Sequence, residues 1–454
     1  MRVLLLNPPS RDTFRRAGIL LPPLGLLYVA AAARARRHLV RVADLAVERR
    51  RPDFSSSDVV GIYCDTSRYP WARELARLAK GAGARVVMGG PHPWFCAEEI
   101  LSSGHVDAVV KGEGEKVFPD LIDCWENGGD PGSIPGLIFP APGGPQDTAP
   151  PERIHDLDSL PFPARDLVDL SLYAPSRLGT RPLMSLHTSR GCPYGCRFCS
   201  STSFDGPKWR ARSSENILSE LEYLVKDLGY RAVAFLDDNF LGSPERIHQL
   251  CEGILQKDLD VHWWCFCRAD TAVRNPHLIQ HMAEAGARNV FVGVESPSPA
   301  QLKRFHKGIG PEQVREAVEI FRKNRIEVLA AYILGAPEES RRDLLATIRF
   351  ARKLNTQTAQ FTLLTPYPGT ALYEQLKERI TERDWSKFDA VHAVFDHPRI
   401  PRLELQFWLI WANLSFYLRS WKSIRGLIRY FHHRLKRIKR ESSCNQPSPG
   451  SLNG

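Results

Sequence analysis

The sequence predicts an α/β protein with two successive units of alternating strands and helices. Short apolar runs alternate with helical periodicity over residues 1–127, and the same alternation returns after residue 181. Residues 128–165 are rich in Pro and Gly, and the segment Ala141–Pro151 within them is typical of a linker or surface hairpin. The predicted segments are 1–140 and 181–395 for the two units, 141–180 for the linker, 396–440 for a helical region and 441–454 for a disordered tail.

The first unit is predicted to be a doubly wound parallel sheet with helices on both faces. The predicted strands are Val3–Leu6, Leu39–Ala43, Val59–Ile62, Arg85–Met88 and Ala108–Val110. The predicted helices are Leu24–Arg36, Trp71–Lys80, Ala97–Ser102 and Val117–Trp125. Ligands of such sheets bind at the carboxyl ends of the strands.

The loops that follow these strands supply candidate binding residues, and glycines in two of them would let a backbone approach a ligand closely. The candidates are Asn7, Thr66, Gly89, Gly90, His92, Gly112 and Glu113. Tight-turn chemistry is the alternative explanation for the glycines, and both interpretations stay open at this point.

The second unit repeats the strand–helix pattern about six times, and right-handed crossovers would curl such a sheet into a partial barrel. The predicted strands are Met184–Thr188, Ala232–Leu236, His262–Cys267, Asn289–Val294, Glu327–Ile333 and Thr358–Leu364. The predicted helices are Ser214–Leu228, Pro244–Gln256, Pro276–Ala285, Pro311–Lys323 and Ser340–Leu354. Ligand-binding groups belong at the carboxyl ends of these strands.

Conspicuous residues follow those strands at the predicted ligand-binding rim. They are Asp237, Asp238, Arg268, Asp270, Glu295, Gly335 and Tyr367. Acidic residues after strands often cap the next helix, and that role is an alternative for each single position. Because such residues recur after successive strands, helix capping does not account for all of them.

Three cysteines lie within one short loop after the first strand of the second unit. Residues 188–199 read TSRGCPYGCRFC, so Cys192, Cys196 and Cys199 are spaced C-x3-C-x2-C. Three clustered thiolates suit an iron–sulfur cluster better than structural zinc, which usually takes four protein ligands. A redox pair with an unrelated third cysteine and a zinc site with a distant fourth ligand stay open as alternatives.

This loop resembles the radical S-adenosylmethionine (SAM) superfamily, whose signature is C-x3-C-x-aromatic-C, with Phe198 at the aromatic position. The resemblance implies a TIM-type partial (βα)6 barrel in which the three cysteines hold a 4Fe-4S cluster. The fourth iron would bind SAM, and SAM would be cleaved reductively to a 5′-deoxyadenosyl radical.

The first unit resembles the Rossmann-like cobalamin-binding domain of the B12-dependent branch of that superfamily. The stretches that carry this likeness are PPLGL at 22–26, GGPHP at 89–93 and GEGE at 112–115. The D-x-H-x-x-G motif that supplies an axial histidine in many cobalamin domains is missing. Either the cobalt has no protein histidine or the domain has lost cobalamin. His92 is a nearby imidazole, and packing within its turn is the alternative to cobalt ligation.

The resemblance also implies roles for polar residues at the barrel rim. Asp237 and Asp238 would lie near the ammonium group of SAM, and Glu295 would accept hydrogen bonds from the ribose hydroxyls. Arg268 would pair with the SAM carboxylate, because a guanidinium suits bidentate recognition.

Apolar and backbone groups at the rim have implied roles as well. The backbone up to Gly335 would bind adenine with Phe198 packed beside it, and Tyr367 is a candidate substrate-facing aromatic residue. Cys265 and Cys267 share one strand face by period-two geometry and are candidate radical or proton-transfer residues. Apolar packing is the alternative for both cysteines.

Cysteine usage and charge restrict the setting of the protein. Ten cysteines without a secretory segment argue against a disulfide-stabilised secreted protein and favour a reducing cytoplasm. The formal net charge is +10, yet residues 419–440 alone hold nine Lys or Arg and no acid. The basicity therefore belongs to one segment.

That basic segment has the pattern of an amphipathic helix. Its apolar stripe consists of Trp421, Ile424, Ile428, Phe431, Leu435 and Ile438. Peripheral contact with an anionic membrane surface, such as the inner face of the cytoplasmic membrane, is one interpretation, and a helix that caps the barrel is the other. Nucleic-acid binding is disfavoured, because no recognisable RNA-binding module follows the barrel. The preceding apolar stretch, Leu403–Leu418, is too short to span a bilayer.

These patterns together predict a radical SAM enzyme that methylates an unactivated carbon of a small-molecule or lipid-like substrate, with cobalamin as methyl carrier. A reductant such as flavodoxin or ferredoxin would supply electrons. Two other functions stay open. One is an oxidative cyclisation or rearrangement without methyl transfer, and the other is a non-catalytic iron–sulfur sensor.

Overall fold

The computed structural model describes residues 1–9, 19–48, 52–173 and 176–419. Its first sheet confirms the predicted parallel arrangement of the N-terminal strands. The strands are β1 (Arg2–Asn7), β2 (Leu39–Asp44), β3 (Val59–Tyr63), β4 (Arg85–Gly89), β5 (Ala108–Val110), β6 (Leu137–Ala141) and β7 (Gly144–Asp147). They lie in the order β2-β1-β3-β4-β5-β6-β7. The first five strands are parallel, and β6 and β7 form an antiparallel hairpin that continues the sheet past residue 140.

Helices cover both faces of this sheet, as a doubly wound domain requires. They are α1 (Leu24–Ala35), α2 (Tyr69–Gly81), α3 (Pro91–Phe95), α4 (Ala97–Ser102) and α5 (Gly114–Glu126). Apolar side chains of α1 and α5 pack on one face, and those of α2 and α4 pack on the other. The strands are buried on both sides, which explains why their sequences are continuous apolar runs.

The second unit is a half-barrel of six parallel strands with a short antiparallel edge strand. Its strands, in chain order, are β8 (Arg177–Leu178), β9 (Arg181–Leu186), β10 (Ser189–Arg190), β11 (Arg210–Ala211), β12 (Ala232–Phe235), β13 (His262–Cys267), β14 (Ala287–Glu295), β15 (Glu327–Leu334) and β16 (Thr358–Leu363). The sheet order is β16-β15-β14-β13-β12-β9-β8, which confirms the predicted partial barrel. Strands β10 and β11 pair separately and close the base of the cysteine loop.

The outer layer of the half-barrel is helical. The helices are α6 (Ser201–Asp205), α7 (Ser214–Glu222), α8 (Pro244–Gln256), α9 (Ala269–Arg274), α10 (Pro276–Glu284), α11 (Pro299–Arg304), α12 (Pro311–Lys323), α13 (Arg341–Leu354), α14 (Ala371–Leu376) and α15 (Arg402–Tyr417). The long helix predicted from Ser214 ends as an α-helix at Glu222 and continues as a π-helical turn over Tyr223–Asp227.

The two faces of the barrel sheet bury different sets of side chains, which corrects one prediction. Cys265 and Cys267 point into the large core between strands and helices, and both are buried. Trp264 and Phe266 alternate with them and belong to the separate inner cluster. The prediction that these cysteines are catalytic is therefore wrong, because the face that they share is turned away from the barrel lumen. Their burial also raises the pKa of both thiols.

The segment between the two domains is ordered by contacts with both. Tyr173 donates a hydrogen bond of 2.6 Å to Asp44 of the first domain. Arg165 forms an ion pair of 2.7 Å with Glu220 on α7 of the second domain, and Arg212 pairs with the other oxygen of the same carboxylate. The lead-in to the barrel is thus held by buried charge.

The chain after the barrel forms α15, and the segment that follows residue 419 lies outside the described residues. The predicted amphipathic helix with its stripe from Trp421 to Ile438 and the predicted disordered tail both belong to that segment. None of the helices within the described ranges is long and apolar enough to cross a bilayer.

Replacing Glu220 by Gln should lower the free energy of unfolding by about 3 kcal/mol or more, because it leaves two buried guanidinium groups without a counter-charge. Urea-induced unfolding of the purified protein measures this difference. Glu222→Gln on the same helix is the control, since its exposed carboxylate pairs only with exposed lysines and should contribute little. Equal unfolding midpoints for the two variants would contradict the assignment.

Candidate active site

The cysteine loop is shaped by one glycine whose backbone no other residue would adopt without strain. Gly191 has φ +85°, and a Cβ at this position would lie 2.3 Å from the carbonyl oxygen of Lys208. The loop turns back immediately, since the amide of Cys192 donates to the carbonyl of Gly206. The strand pair β10–β11 below it fixes where the loop begins and returns.

The three cysteines of this loop are free, and each is partly accessible. Burial raises the pKa of the Cys192 thiol and raises that of Cys199 to about 11, so these thiols keep their protons unless a cation takes their place. Cys196 Sγ lies 3.8 Å from the carbonyl oxygen of His306. The loop therefore offers three thiol ligands and no fourth cysteine. This donor set fits an iron–sulfur cluster that is bound by three cysteines.

Residues outside the loop hold it in place. The guanidinium of Arg268 lies over the ring of Tyr194 at 3.5 Å from its centroid. It also donates to Asp270 at 3.1 Å and to the carbonyl of Lys307 at 2.9 Å. Arg268 was predicted to pair with the carboxylate of SAM. In the structure its N–H groups contact Asp270 and Lys307, and its face stacks on Tyr194, which lies between Cys192 and Cys196.

The two carboxylates predicted to act together after β12 have different surroundings. Asp237 is buried, and its Oδ1 accepts hydrogen bonds from the backbone amides and hydroxyls of Thr188 and Ser189. Asp238 faces an open cavity and accepts a hydrogen bond of 2.8 Å from Ser201. Asp237 thus positions the chain that leads into the cysteine loop, and Asp238 is the carboxylate available to a ligand.

Glu295 ends β14 in a strained conformation and is paired with a buried lysine. Its φ is +63°, and Lys307 Nζ donates to its Oε1 at 2.7 Å. A Cβ at Gly293 would lie 2.4 Å from that oxygen, so the glycine leaves room for the pair. Glu295 lies at the predicted rim, but a ribose hydroxyl would have to share its carboxylate with Lys307.

The turn after β15 brings the predicted adenine-binding groups together. Gly335 has φ +85°, and Glu339 accepts hydrogen bonds from the amides of Gly335 and Ala336 at 2.8 and 2.9 Å. Burial raises the pKa of Glu339 to about 7. Phe198 and Tyr367 both pack against the apolar cluster that contains Ala336. The aromatic residue of the cysteine signature therefore adjoins this turn.

A cavity of about 480 Å³ lies between the two domains. The carboxyl ends of the N-terminal strands form one wall, and the predicted residues among its lining are Asn7, Gly89, Gly90, Gly112 and Glu113. The opposite wall comes from the barrel and consists of His187, Ser189, Arg190, Phe204, Asp205, Leu236 and Asp238. Of the residues predicted for the cluster and SAM region, Asp238 is in this lining, so the N-terminal loops and Asp238 open into one space.

Ion pairs join the N-terminal wall of the cavity to the barrel wall at the base of the cysteine loop. Arg190 donates to Glu113 at 2.9 Å and to Glu115 at 2.5 Å, and Arg210 also donates to Glu113. All four side chains are nearly buried. Burial opposes ionisation of Glu113, but the two guanidinium charges hold its pKa below the ordinary value. Glu113 was predicted to bind a cofactor. In the structure its carboxylate is already paired with Arg190 and Arg210.

The barrel wall of the cavity carries two neighbouring acidic groups. Burial, and then the charge of Asp238, raise the pKa of Asp205 to about 7. Burial also raises the pKa of Asp238. His187, which lines the same wall, has its pKa lowered by burial. Of these groups, Asp205 can therefore exchange a proton with a ligand near neutral pH.

Two predicted residues of the N-terminal loops do not reach the cavity. His92 is fully buried between the rings of Tyr69 and Trp385, and burial lowers its pKa to about 3. Thr66 is buried in a 3-10 turn after Asp65. Their assignment to cofactor binding is wrong, because neither side chain lines this space. Arg68, from the same turn as Thr66, does line it and donates to Asn7 at 2.5 Å.

Sequence reasoning missed Arg68, Glu115, His187, Arg190, Asp205 and Arg210. Arg190 and Glu115 carried a usable signal, since one adjoins the first cysteine and the other lies in the GEGE stretch. Arg68 and Asp205 have no local pattern that separates them from surface residues. Only the meeting of the two domains brings them to one cavity.

Comparison with known families accounts for both halves of this site. Residues 186–351 match the family model of the Radical SAM superfamily, and residues 11–122 match that of the B12 binding domain. An uncharacterized methyltransferase of Pyrococcus horikoshii is 34% identical over 453 residues, with 97% of each chain covered. The chain belongs to the radical SAM superfamily, in the branch that carries a B12 binding domain. The two matches agree with the predicted cofactors, a 4Fe-4S cluster, SAM and cobalamin.

Other relatives of this radical SAM protein carry different activities in their names. The hopanoid C-3 methylase of Methylococcus capsulatus is 29% identical over 437 residues, covering 93% of this chain and 82% of the relative. The anaerobic magnesium-protoporphyrin IX monomethyl ester cyclase of Rubrivivax gelatinosus is 26% identical over 422 residues, covering 89% and 75%.

Solved structures of cobalamin-dependent radical SAM proteins share the fold. OxsB, with aqua-cobalamin and S-adenosylmethionine bound, aligns with a TM-score of 0.76 at 18% identity and covers 95% of this chain and 71% of its own. The radical SAM methyltransferase TsrM of Kitasatospora setae, with cobalamin and a 4Fe-4S cluster bound, aligns with a TM-score of 0.69 at 21% identity, covering 83% and 75%.

Replacing Arg190 by Met in this radical SAM protein should lower the free energy of unfolding by roughly 3–5 kcal/mol, because Glu115 loses its partner and Glu113 keeps only Arg210. It should also weaken cobalamin binding, since the cavity walls are no longer fastened. Urea unfolding and an absorbance titration with hydroxocobalamin measure the two effects. Lys208→Met, which removes an exposed positive charge near the same loop, should change neither quantity. If Arg190→Met changed neither the free energy of unfolding nor cobalamin binding, the ion pairs would not hold the two walls together.

Proposed function

We propose that this chain is a methyltransferase that uses a 4Fe-4S cluster, SAM and cobalamin to methylate an unactivated carbon. The observation that carries the proposal is the single cavity bounded by the N-terminal strand ends and by the barrel wall next to the cysteine loop. A methyl group can pass between two cofactors and a substrate only if all of them share one enclosed space. The methyltransferase names of two full-length relatives support the same reaction.

The cofactors would perform the difficult chemistry: the reduced cluster cleaves SAM to a 5′-deoxyadenosyl radical, and methylcobalamin supplies the methyl group. The protein contributes ligands, orientation and shielding. Cys192, Cys196 and Cys199 would hold the cluster, and Phe198 with the turn at Gly335 would contact the nucleotide. Asp238, the accessible carboxylate beside the loop, would accept hydrogen bonds from the ammonium group of SAM.

Residues of the N-terminal wall would bind the corrin ring. The backbones of Gly89, Gly90 and Gly112 lie along the cavity and carry no side chains to obstruct a large planar group. Asn7 and Arg68, which are hydrogen-bonded to each other at 2.5 Å, offer polar groups to its amide substituents. The described residues place no histidine on this wall, so we expect cobalamin to bind here without an imidazole of the N-terminal domain on cobalt.

The substrate is expected to be largely apolar near the reacting carbon. The inner cluster of the barrel contains Trp264, with Phe266, Phe291 and Leu236 packed against it. Ile19 and Leu21, which precede α1, pack against the same cluster and also line the cavity. An apolar surface of this kind excludes water and favours lipid-like or polycyclic substrates.

Oxidative cyclisation without methyl transfer is the second candidate, because the cyclase of Rubrivivax gelatinosus aligns with 89% of this chain. Both reactions need a reductant of the flavodoxin or ferredoxin class. Both also need a reducing environment such as the cytoplasm, in which three partly accessible thiols and their cluster survive.

A test that needs no substrate separates the two candidates. The protein is reconstituted anaerobically with iron, sulfide and hydroxocobalamin, reduced with titanium(III) citrate and given SAM. A methyltransferase should form S-adenosylhomocysteine and methylcobalamin in equal amounts, because it must recharge its methyl carrier. A cyclase should form 5′-deoxyadenosine without either product, and that result would overturn the proposal.

Substituting single cysteines should distinguish those that bind the cluster from those that only pack in the core. Cys196→Ala should lose the broad iron–sulfur absorbance and reduce 5′-deoxyadenosine formation at least about 100-fold, because the cluster loses one of its three ligands. Cys251→Ala, which changes a buried core cysteine on α8, is the matched control and should retain both signals. Retained iron and activity in Cys196→Ala would contradict the ligand assignment.

A further inference from the structure

The last described helix exposes an unusually apolar face. Of the large hydrophobic side chains that are exposed in the described residues, six lie on or directly after α15 and are between 43% and 82% accessible. They are Leu403, Phe407, Ile410, Trp411, Leu414 and Leu418. Apart from the adjacent pair Ile410 and Trp411, they recur at steps of three and four residues, so they form one continuous stripe. A contiguous exposed apolar patch of this kind marks an interaction surface.

The opposite face of the same helix is buried against the barrel, so the position of the helix is set by its core contacts. Leu405, Leu409, Ala412 and Phe416 belong to the outer core of the barrel. Tyr417 additionally donates to the carbonyl of Ala359 on β16 at 2.8 Å. The helix is therefore fixed on the barrel and presents its second apolar face outward in one orientation.

Basic side chains lie on the helix beside this stripe. The neighbouring helix α13 carries five exposed basic residues and one acid, and Arg352 reaches Ser415 on α15 at 3.2 Å. The one acid of α15, Glu404, is paired with Arg341. Immediately beyond the helix, residues 419–440 contain nine Lys or Arg and no Asp or Glu.

From this combination we infer that the exposed face of α15 docks onto an anionic phospholipid surface. The apolar stripe would enter the boundary between headgroups and acyl chains, and the exposed arginines and lysine of α13 would contact the headgroups. A second copy of the chain or the basic segment itself would bring like charges together against α13, which disfavours both as occupants. The inference does not rest on the proposed methyl transfer.

Flotation with phospholipid vesicles tests the inference on the full-length protein. The protein should float with vesicles of phosphatidylcholine and phosphatidylglycerol, and much less with phosphatidylcholine alone. Roughly 0.5 M salt should weaken the binding, because it screens the headgroup charges. The measurement needs no cluster, cobalamin or substrate, so its outcome is separate from that of the methyl-transfer experiment.

A variant with Phe407→Gln, Ile410→Gln and Leu414→Gln should bind the anionic vesicles at least about tenfold more weakly, because it removes apolar contact without changing charge. Leu255→Gln on α8, an exposed leucine away from the stripe, is the control and should bind like the unchanged protein. Circular dichroism checks the fold, and a second variant, Leu403→Gln with Leu418→Gln, repeats the test if the first does not fold.

Three results would overturn the inference. The unchanged protein fails to float with any vesicle, or the glutamine variants float as well as it does. In the third, sedimentation without vesicles finds a dimer that the triple substitution converts to monomers, which would make the stripe a surface between copies of this chain.

Discussion

The guanidinium of Arg190 lies between Glu113 and Glu115 and joins the two domains two residues before the first cluster cysteine. Taking such a charge out of water costs several kcal/mol, and its two carboxylate partners offset that cost. Glu113 lies in the loop after β5 and Glu115 in the first turn of α5, in the domain with the B12-binding match. This ion-pair cluster, which Arg210 joins through Glu113, therefore sets where the cysteine loop stands relative to the cavity that both domains line.

Most of the sheet architecture could be predicted because buried parallel strands give local signals, short apolar runs between turn residues. A linker or surface hairpin was predicted near β6 and β7, but neither strand was predicted, since the second strand is exposed and rich in Gly and Pro and has no apolar pattern. Helix α15 lies within the helical region predicted over residues 396–440, but its bounds were not predicted, for the opposite reason. Apolar residues occupy both of its faces, which removes the contrast on which helical periodicity depends.

The site could be predicted to the level of loops but not of side-chain partners. Spacing alone identified the three cysteines, and strand ends identified the rim. Whether Asp237 or Asp238 faces the ligand depends on the hydroxyls of Thr188 and Ser189, about 50 residues away in the chain. The shared face of Cys265 and Cys267 followed from strand geometry. Strand geometry could not tell whether that face points into the lumen or toward the helices, since both sides of a barrel strand are apolar.

The two sides of α15 connect the outer surface to the turn after β15. A Cβ at Gly335 would lie 3.2 Å from Leu405, and His397 Nε2, just before the helix, lies 2.8 Å from the carbonyl oxygen of Ala336. Because close-packed atoms transmit displacement, a sideways movement of this helix would shift the turn whose amides Glu339 binds. Any body that holds the outer side of α15 would therefore also act on the position of Gly335, about one side chain away.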